Sequence, residues 1–433
     1  LDKGVNTVLI HIVKAGETIF SIARQYGVSA ARIFADNGLS STSGLVVGQA
    51  LIIMLPEVIH TVRRGDTLTS IAAAYGTTVM ALIQNNPELV ANPTLRLGQE
   101  LTIRFRGEKV RAVRVSGYAY THINRNVLLR ALPYLTYLPI FSYGFTESGE
   151  LIPVNDEEMI RLAYQLRAAP LMVLTTITES GSFSTERAKR LLNDAAYRDR
   201  VLDNIVAVLK EKGYAGLDVD FEFIAPEDAQ AYLDFLTGAK ARLSAAGLLL
   251  SVALAPKSFA NQPGLLYEAH DYPSIGAIAD MVFLMTYEWG YSFGPPMAVA
   301  PLPQVTSVVR YAVSVIPPEK ILMGIPNYGY DWRLPYEQGI SHAMSIGNEQ
   351  AIRIAMRNNA RIEFDEEAQS PFFRYTSGGA QHIVWFEDVR SISKKFALAD
   401  ETNLSGVGYW NIMRPFSQNW AFISARYDVI KTV

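Results

Sequence analysis

At 433 residues the chain is too long for one ordinary core, so two or more domains are expected. Hydrophobic residues at 49% and charged residues at 19% describe a folded globular protein, and a net charge of −3 leaves no electrostatic footprint for nucleic acid or an anionic membrane. With no cysteine, thiol catalysis, disulfides and Cys-based zinc sites are excluded; the six histidines are scattered and form no H-x-x-x-H pair, so neither metal nor cofactor is expected.

The chain opens on Leu1-Asp2-Lys3-Gly4, without the basic-then-apolar layout of a signal peptide, and no later run approaches the ~18 apolar residues of a membrane span. An internal repeat follows. His11-Ile12-Val13-Lys14-Ala15-Gly16-Glu17-Thr18-Ile19 recurs as His60-Thr61-Val62-Arg63-Arg64-Gly65-Asp66-Thr67-Leu68, and the match continues through Ile22-Ala23, Tyr26-Gly27 and Asn37 onto Ile71-Ala72, Tyr75-Gly76 and Asn86. Each unit reads as strand, turn, helix, short helix, strand, with Thr18 and Thr67 as helix N-caps. These units, at 8–55 and 58–105, resemble the LysM domain. The resemblance implies binding of N-acetylglucosamine-containing polymers in a groove between the loop after the first strand and the loop before the last. Carried onto this chain, that groove includes Gly16, Thr18 and Ile19 in the first unit and Gly65, Asp66 and Thr67 in the second. Each of these residues fits a plain turn or cap equally well.

From residue 111 onward eight strand-like runs alternate with helical stretches: 112–118, 134–142, 170–177, 214–222, 248–255, 281–287, 321–327 and 406–411. Apolar runs alternating with helices imply parallel strands buried on both faces, and eight such units imply a closed (β/α)8 barrel over 111–433. The 333–404 stretch, between the seventh and eighth strands, reads as a small α+β insertion. The expected fold is therefore an α/β TIM barrel with that insertion, preceded by two small βααβ modules.

The fourth run, Gly216-Leu217-Asp218-Val219-Asp220-Phe221-Glu222, alternates acids with apolar residues. On a strand this puts Leu217, Val219 and Phe221 on one face and all three carboxylates on the other. Three carboxylates on one face repel too strongly to serve stability. They make sense in a cleft, with Glu222 last, at the C-terminal mouth where such barrels place their chemistry. Other strand ends carry Tyr118, Met285-Thr286-Tyr287-Glu288, Asn327 and Tyr409-Trp410, and aromatics around carboxylates suit a sugar ring. Trp410 is assigned to the site, whereas Trp289, Trp332, Trp385 and Trp420 are assigned to packing.

This domain resembles glycoside hydrolase family 18, whose fourth strand carries D-x-x-D-x-D-x-E. Asp218, Asp220 and Glu222 match that pattern, and Met285-Thr286-Tyr287-Glu288 resembles the family's M-x-Y-D. Ala215 stands where the first Asp is expected, and Glu288 replaces an Asp. The resemblance implies a substrate-assisted retaining mechanism without metal or organic cofactor. In it Glu222 is the general acid, Asp220 and Tyr287 hold the acetamido group, and Asp218 shares a proton with Asp220. Trp410 forms the floor, and Met285, Glu288, Tyr118 and Asn327 complete the binding site. Twin LysM units ahead of such a barrel resemble the spore cortex-lytic N-acetylglucosaminidases, implying peptidoglycan as the partner and a spore or cell-wall location. A chitinase and a non-catalytic carbohydrate-binding coat protein are the alternatives; oligomeric state is left open.

Overall fold

The architecture comes from a computed structural model and is described for residues 8–42 and 44–433. In the first repeat, strands Val8–Ile12 and Ala50–Met54 pair antiparallel around helices Ile19–Tyr26 and Ala30–Asp36. In the second, Pro56–Thr61 pairs with Glu100–Phe105 around Leu68–Ala74, Val79–Asn85 and a short turn of helix at Glu88–Ala91. Both first helices start on a capping box: Thr18 Oγ1 accepts from Ser21 N at 3.1 Å and Thr67 Oγ1 from Ser70 N at 3.0 Å. Each repeat encloses its own small core, built on Ile19, Ile22, Leu51 and Ile53 in one and Ile71, Leu82, Leu101 and Ile103 in the other.

The barrel strands are Arg111–Gly117, Tyr137–Tyr143, Ala169–Leu174, Gly216–Val219, Leu249–Leu254, Met281–Leu284, Ile321–Pro326 and Gly406–Trp410. All neighbours are parallel, and the first strand closes the ring by pairing with both the second and the eighth. The third strand is buried at every residue, as expected for a strand covered on both faces. The helix Ala195–Lys212, capped by Asp194, ends at Gly213, whose φ of +76° is the left-handed conformation that lets the chain turn into the fourth strand.

After the seventh strand the chain builds a separate five-stranded antiparallel sheet, in the order Met344–Ile346, Gly329–Leu334, Ala380–Trp385, Ser370–Ser377, Glu363–Asp365, beside helix Asn348–Arg357. This unit starts at Gly329, ahead of the expected 333, and its sheet ends at Trp385. Helix Val389–Glu401, which falls inside the expected 333–404 span, packs back against the barrel's eighth strand. The earlier start reflects strand Gly329–Leu334 pairing with the distant Ala380–Trp385, a partner that local patterning does not reveal.

Both repeats dock on the last barrel helix, Ser417–Arg426. Gln418 Nε2 donates to Asn37 Oδ1 (3.0 Å) and to the Ala50 carbonyl (2.7 Å), and Ser424 Oγ donates to the Gln84 carbonyl (3.2 Å). Arg32 of the first repeat donates to the Asn85 carbonyl of the second at 2.6 Å, tying the pair together. The first repeat also touches the insertion, where Ile362 N donates to the Val47 carbonyl at 3.0 Å.

Candidate active site

The fourth strand positions the acids as its alternation requires. Leu217, Val219 and Phe221 are buried, and Phe221 stacks on Tyr232 and Phe235 of the helix outside. Anchoring that face fixes the other toward the barrel interior. Regular pairing ends at Val219, but Asp220 N still donates to the Leu174 carbonyl at 3.0 Å, extending the strand toward the mouth.

Asp218 is fully buried, and its Oδ2 accepts from the Tyr118 hydroxyl at 2.8 Å. Burial pushes its pKa up to about 6, against the pull of the Ser251 and Tyr118 hydroxyls; Ser251 Oγ lies close without reaching good hydrogen-bond geometry. Asp220 is raised well above the carboxylate range by burial, then by the charges of Glu222 and Asp218. Asp218 Oδ1 and Asp220 Oδ1 are both buried without a partner. Leaving two such acceptors unpaired is costly, and a proton held between the carboxyls removes much of that cost. Glu222 opens onto the cleft, yet protein crowds it on most sides; this desolvation, and next the charge of Glu288, raises its pKa.

Asp220, Glu222, Met285, Tyr287, Glu288, Trp410 and Tyr118 all line one cavity of ≈ 340 Å³ at the C-terminal mouth. Between Met285 and Tyr287, Thr286 is buried and its hydroxyl donates to the Gly324 carbonyl at 2.6 Å, which pins the segment. Glu288 takes a left-handed φ of +68°, strained for a residue with a side chain, and accepts from the hydroxyls of Tyr328 and Tyr330. Trp410 is held by the rings of Tyr118, Tyr120 and Phe141, edge-on at 5.7, 5.9 and 5.0 Å.

Two expected site residues do not reach the cavity. Asp218 sits behind Asp220, so it can act on a ligand only through its neighbour. Asn327 is buried with its amide donating to the carbonyls of Asn411 (3.0 Å) and Arg414 (2.9 Å), because its strand end is where the insertion joins the barrel. Trp289, assigned to packing, lines the cavity instead. Phe183, Leu266 and Tyr267 also line it; they come from loops whose course carries no sequence periodicity.

In the repeats, Gly16 and Gly65 adopt positive φ in matching turns, and Thr18 and Thr67 are exposed caps. Ile19, expected at a groove, is in the core at 4% exposure because it is the first apolar residue of its helix. Asp66 Oδ2 is taken by His60 Nε2 (2.8 Å) and Arg63 N (2.6 Å), and Glu17 makes the same pair with His11 and Lys14 N. Tyr26 and Tyr75 complete these matching triads at the other ring nitrogen, 3.1 and 3.2 Å away. The repeat itself carried the signal: His, acid and Tyr recur at the same spacing.

No described residues form a cluster that could hold a metal ion. A closed parallel barrel with two carboxyls and aromatic rings lining a cavity at its C-terminal mouth, and two small βααβ repeats ahead of it, fits the architecture of a glycan hydrolase. The chain belongs to the glycosyl hydrolases of family 18, matched over residues 123–414, and carries two LysM domains, matched over 11–53 and 60–104. It is similar to the cortical fragment-lytic enzyme of Bacillus anthracis, at 38% identity over 97% of this chain and 98% of that one. The cortical fragment-lytic enzyme of Bacillus subtilis (strain 168) is 45% identical over 70% of each chain. The crystal structure of the Bacillus cereus spore cortex-lytic enzyme SleL superposes with a TM-score of 0.83 at 38% identity, covering 98% of this chain and 99% of that one.

Proposed function

We propose that this glycan hydrolase acts on peptidoglycan, specifically spore cortex, cutting the bond after N-acetylglucosamine with retention of configuration. The observation that carries the reading is one cavity in which Glu222, Asp220, Tyr287 and Trp410 meet. The cortex-lytic names of relatives matching nearly the full chain support the choice of polymer and a spore or cell-wall location.

Asp220 and Glu222 are successive inward residues of one strand, so both approach a bound sugar from the same side. Asp220 is therefore badly placed to attack C1 from the opposite face, and the nucleophile is the sugar's own acetamido oxygen, the substrate-assisted route. As that oxygen bonds to C1, the glycosidic C–O bond breaks and Glu222 gives its proton to the departing oxygen. Asp220 accepts a hydrogen bond from the acetamido N–H and balances the oxazolinium charge, while the Tyr287 hydroxyl donates to the acetamido oxygen. Glu222, now a carboxylate, takes a proton from the water that reopens the ring. Asp218 holds the proton that Asp220 gives up, and the Trp410 indole supports the apolar sugar face. The LysM domains keep the enzyme on its polymer and raise the local substrate concentration.

Glu222→Gln tests the reading on purified cortex fragments and chitin oligomers, with products identified by mass spectrometry. Turnover should fall by about 10²–10⁴-fold while adsorption to the polymer survives. Unchanged turnover in the variant means a different catalytic group, and absence of turnover in the wild type means a purely binding protein. Cleavage by the wild type of chitin oligomers alone overturns the choice of polymer.

A further inference from the structure

A second chamber of ≈ 380 Å³ adjoins the catalytic cavity and shares Tyr120, Glu288 and Trp410 with it as a common wall. Asp220 and Glu222 line only the first chamber. A glycan lying over Trp410 with its departing oxygen at Glu222 therefore runs into the second chamber with its non-leaving end. At the wall of that chamber stands Arg414.

Arg414 is half-buried, and its hydrogen bonds to the described residues occupy only two of its five N–H groups: Nη1 donates to Ser345 Oγ at 3.0 Å and Nη2 to the Ser345 carbonyl at 3.2 Å. The ion pairs of the described residues include many arginines but not this one. Its stem lies against Gly347, where a Cβ would sit 3.1 Å from Arg414 Cδ, so that glycine gives the side chain its path to the chamber. The nearest acid on the shared wall, Glu288, already accepts from the hydroxyls of Tyr328 and Tyr330. Burial lowers the Arg414 pKa, with only the Tyr330 and Tyr328 hydroxyls opposing it. A guanidinium drawn out of water beside a sugar-sized chamber, with donors to spare, is a receptor for a planar anion.

We propose that Arg414 is a specificity-determining residue that binds a carboxylate on the sugar next to the N-acetylglucosamine over Trp410, on the side away from Glu222. This rests on the peptidoglycan reading and deepens it. In a glycan where N-acetylglucosamine alternates with a 3-O-lactyl hexosamine, that neighbouring sugar carries the lactyl carboxylate, or the peptide acid attached to it. Chitin offers only hydroxyls and acetamides there. Arg414 thus adds affinity for the anionic polymer that the neutral one cannot collect.

The test is a ratio. In the Glu222→Gln protein, calorimetry compares an alternating N-acetylglucosamine–N-acetylmuramic acid tetrasaccharide having free lactyl carboxylates with the same tetrasaccharide methyl-esterified. Adding Arg414→Ala should reduce the preference for the free acid by about 10- to 100-fold, and Arg414→Lys should restore part of it. A preference that Arg414→Ala leaves intact, or equal weakening of both ligands, overturns the proposal. Hydrolysis of the free-acid tetrasaccharide by the wild type is scored separately, because its failure counts against the peptidoglycan reading while the binding ratio still judges Arg414.

Discussion

The Tyr118 hydroxyl reaches across the barrel from the first strand to Asp218 on the fourth, donating to Oδ2 at 2.8 Å, and it is the only hydrogen bond with good geometry that this carboxyl receives among the described residues. One donor does not offset full burial, so Asp218 titrates near pH 6 in the folded chain instead of 3.8. The folded state keeps a proton that the unfolded state has lost between those values, so stability falls as pH rises through that window and stays lower above it. Two pK units correspond to about 3 kcal/mol at most. Asp218→Asn cannot ionise and escapes this cost. It should unfold at higher denaturant than the wild type at pH 7, with the advantage fading near pH 4, and it should lose activity because Asp220 loses its proton partner. Equal destabilisation at both pH values would sink this account.

A second expectation concerns Glu222 and Glu288. Burial raises the Glu222 pKa first, and the Glu288 charge raises it further. A general acid works only while protonated, so activity is lost as pH climbs through its pKa, and a raised pKa extends the working range upward. Glu288→Gln removes the charge and leaves an acceptor oxygen for Tyr328 and Tyr330. The basic limb of the kcat/KM profile should move to lower pH. A limb that stays fixed would mean the two carboxyls are electrostatically independent.

The acids were legible because a strand has a period of two and Phe221 had to go outward onto Tyr232 and Phe235. The eight-strand count was legible for a related reason: strands buried on both faces are apolar throughout, and their runs stand out between helices. The cleft walls were not. Phe183, Tyr267 and Arg414 come from loops whose paths are set by contacts distant in sequence, Tyr120 comes from a two-residue strand paired with Ile140 and Phe141, and Trp289 looks in sequence like any core tryptophan. Asn327 misled for the opposite reason. It ends a barrel strand, where site residues gather, but its amide is consumed holding the Asn411 and Arg414 carbonyls.

The two LysM domains, close in sequence, differ in what their second loops face. In the first, Val46 packs in the insertion's core with Ile346, Ala351 and Ile362, the Val47 carbonyl accepts from Ile362 N, and a Cβ on Gly48 would collide with the Ile362 carbonyl. In the second, Arg96, Leu97 and Gly98 stand in solvent, with Leu97 78% exposed and nothing within 4 Å of a Cβ on Gly98. A groove walled by those loops is thus partly covered in the first domain and open in the second, so polymer adsorption should depend on the second. Arg64→Glu and Leu97→Asp, both at exposed positions, should each weaken pelleting with insoluble peptidoglycan by about tenfold, the scale of one good interface contact. Ala15→Glu, which matches Arg64 in the repeat, should leave pelleting nearly unchanged. If Ala15→Glu weakens it as much as Arg64→Glu, both grooves bind, and the contact with Ile362 does not close the first.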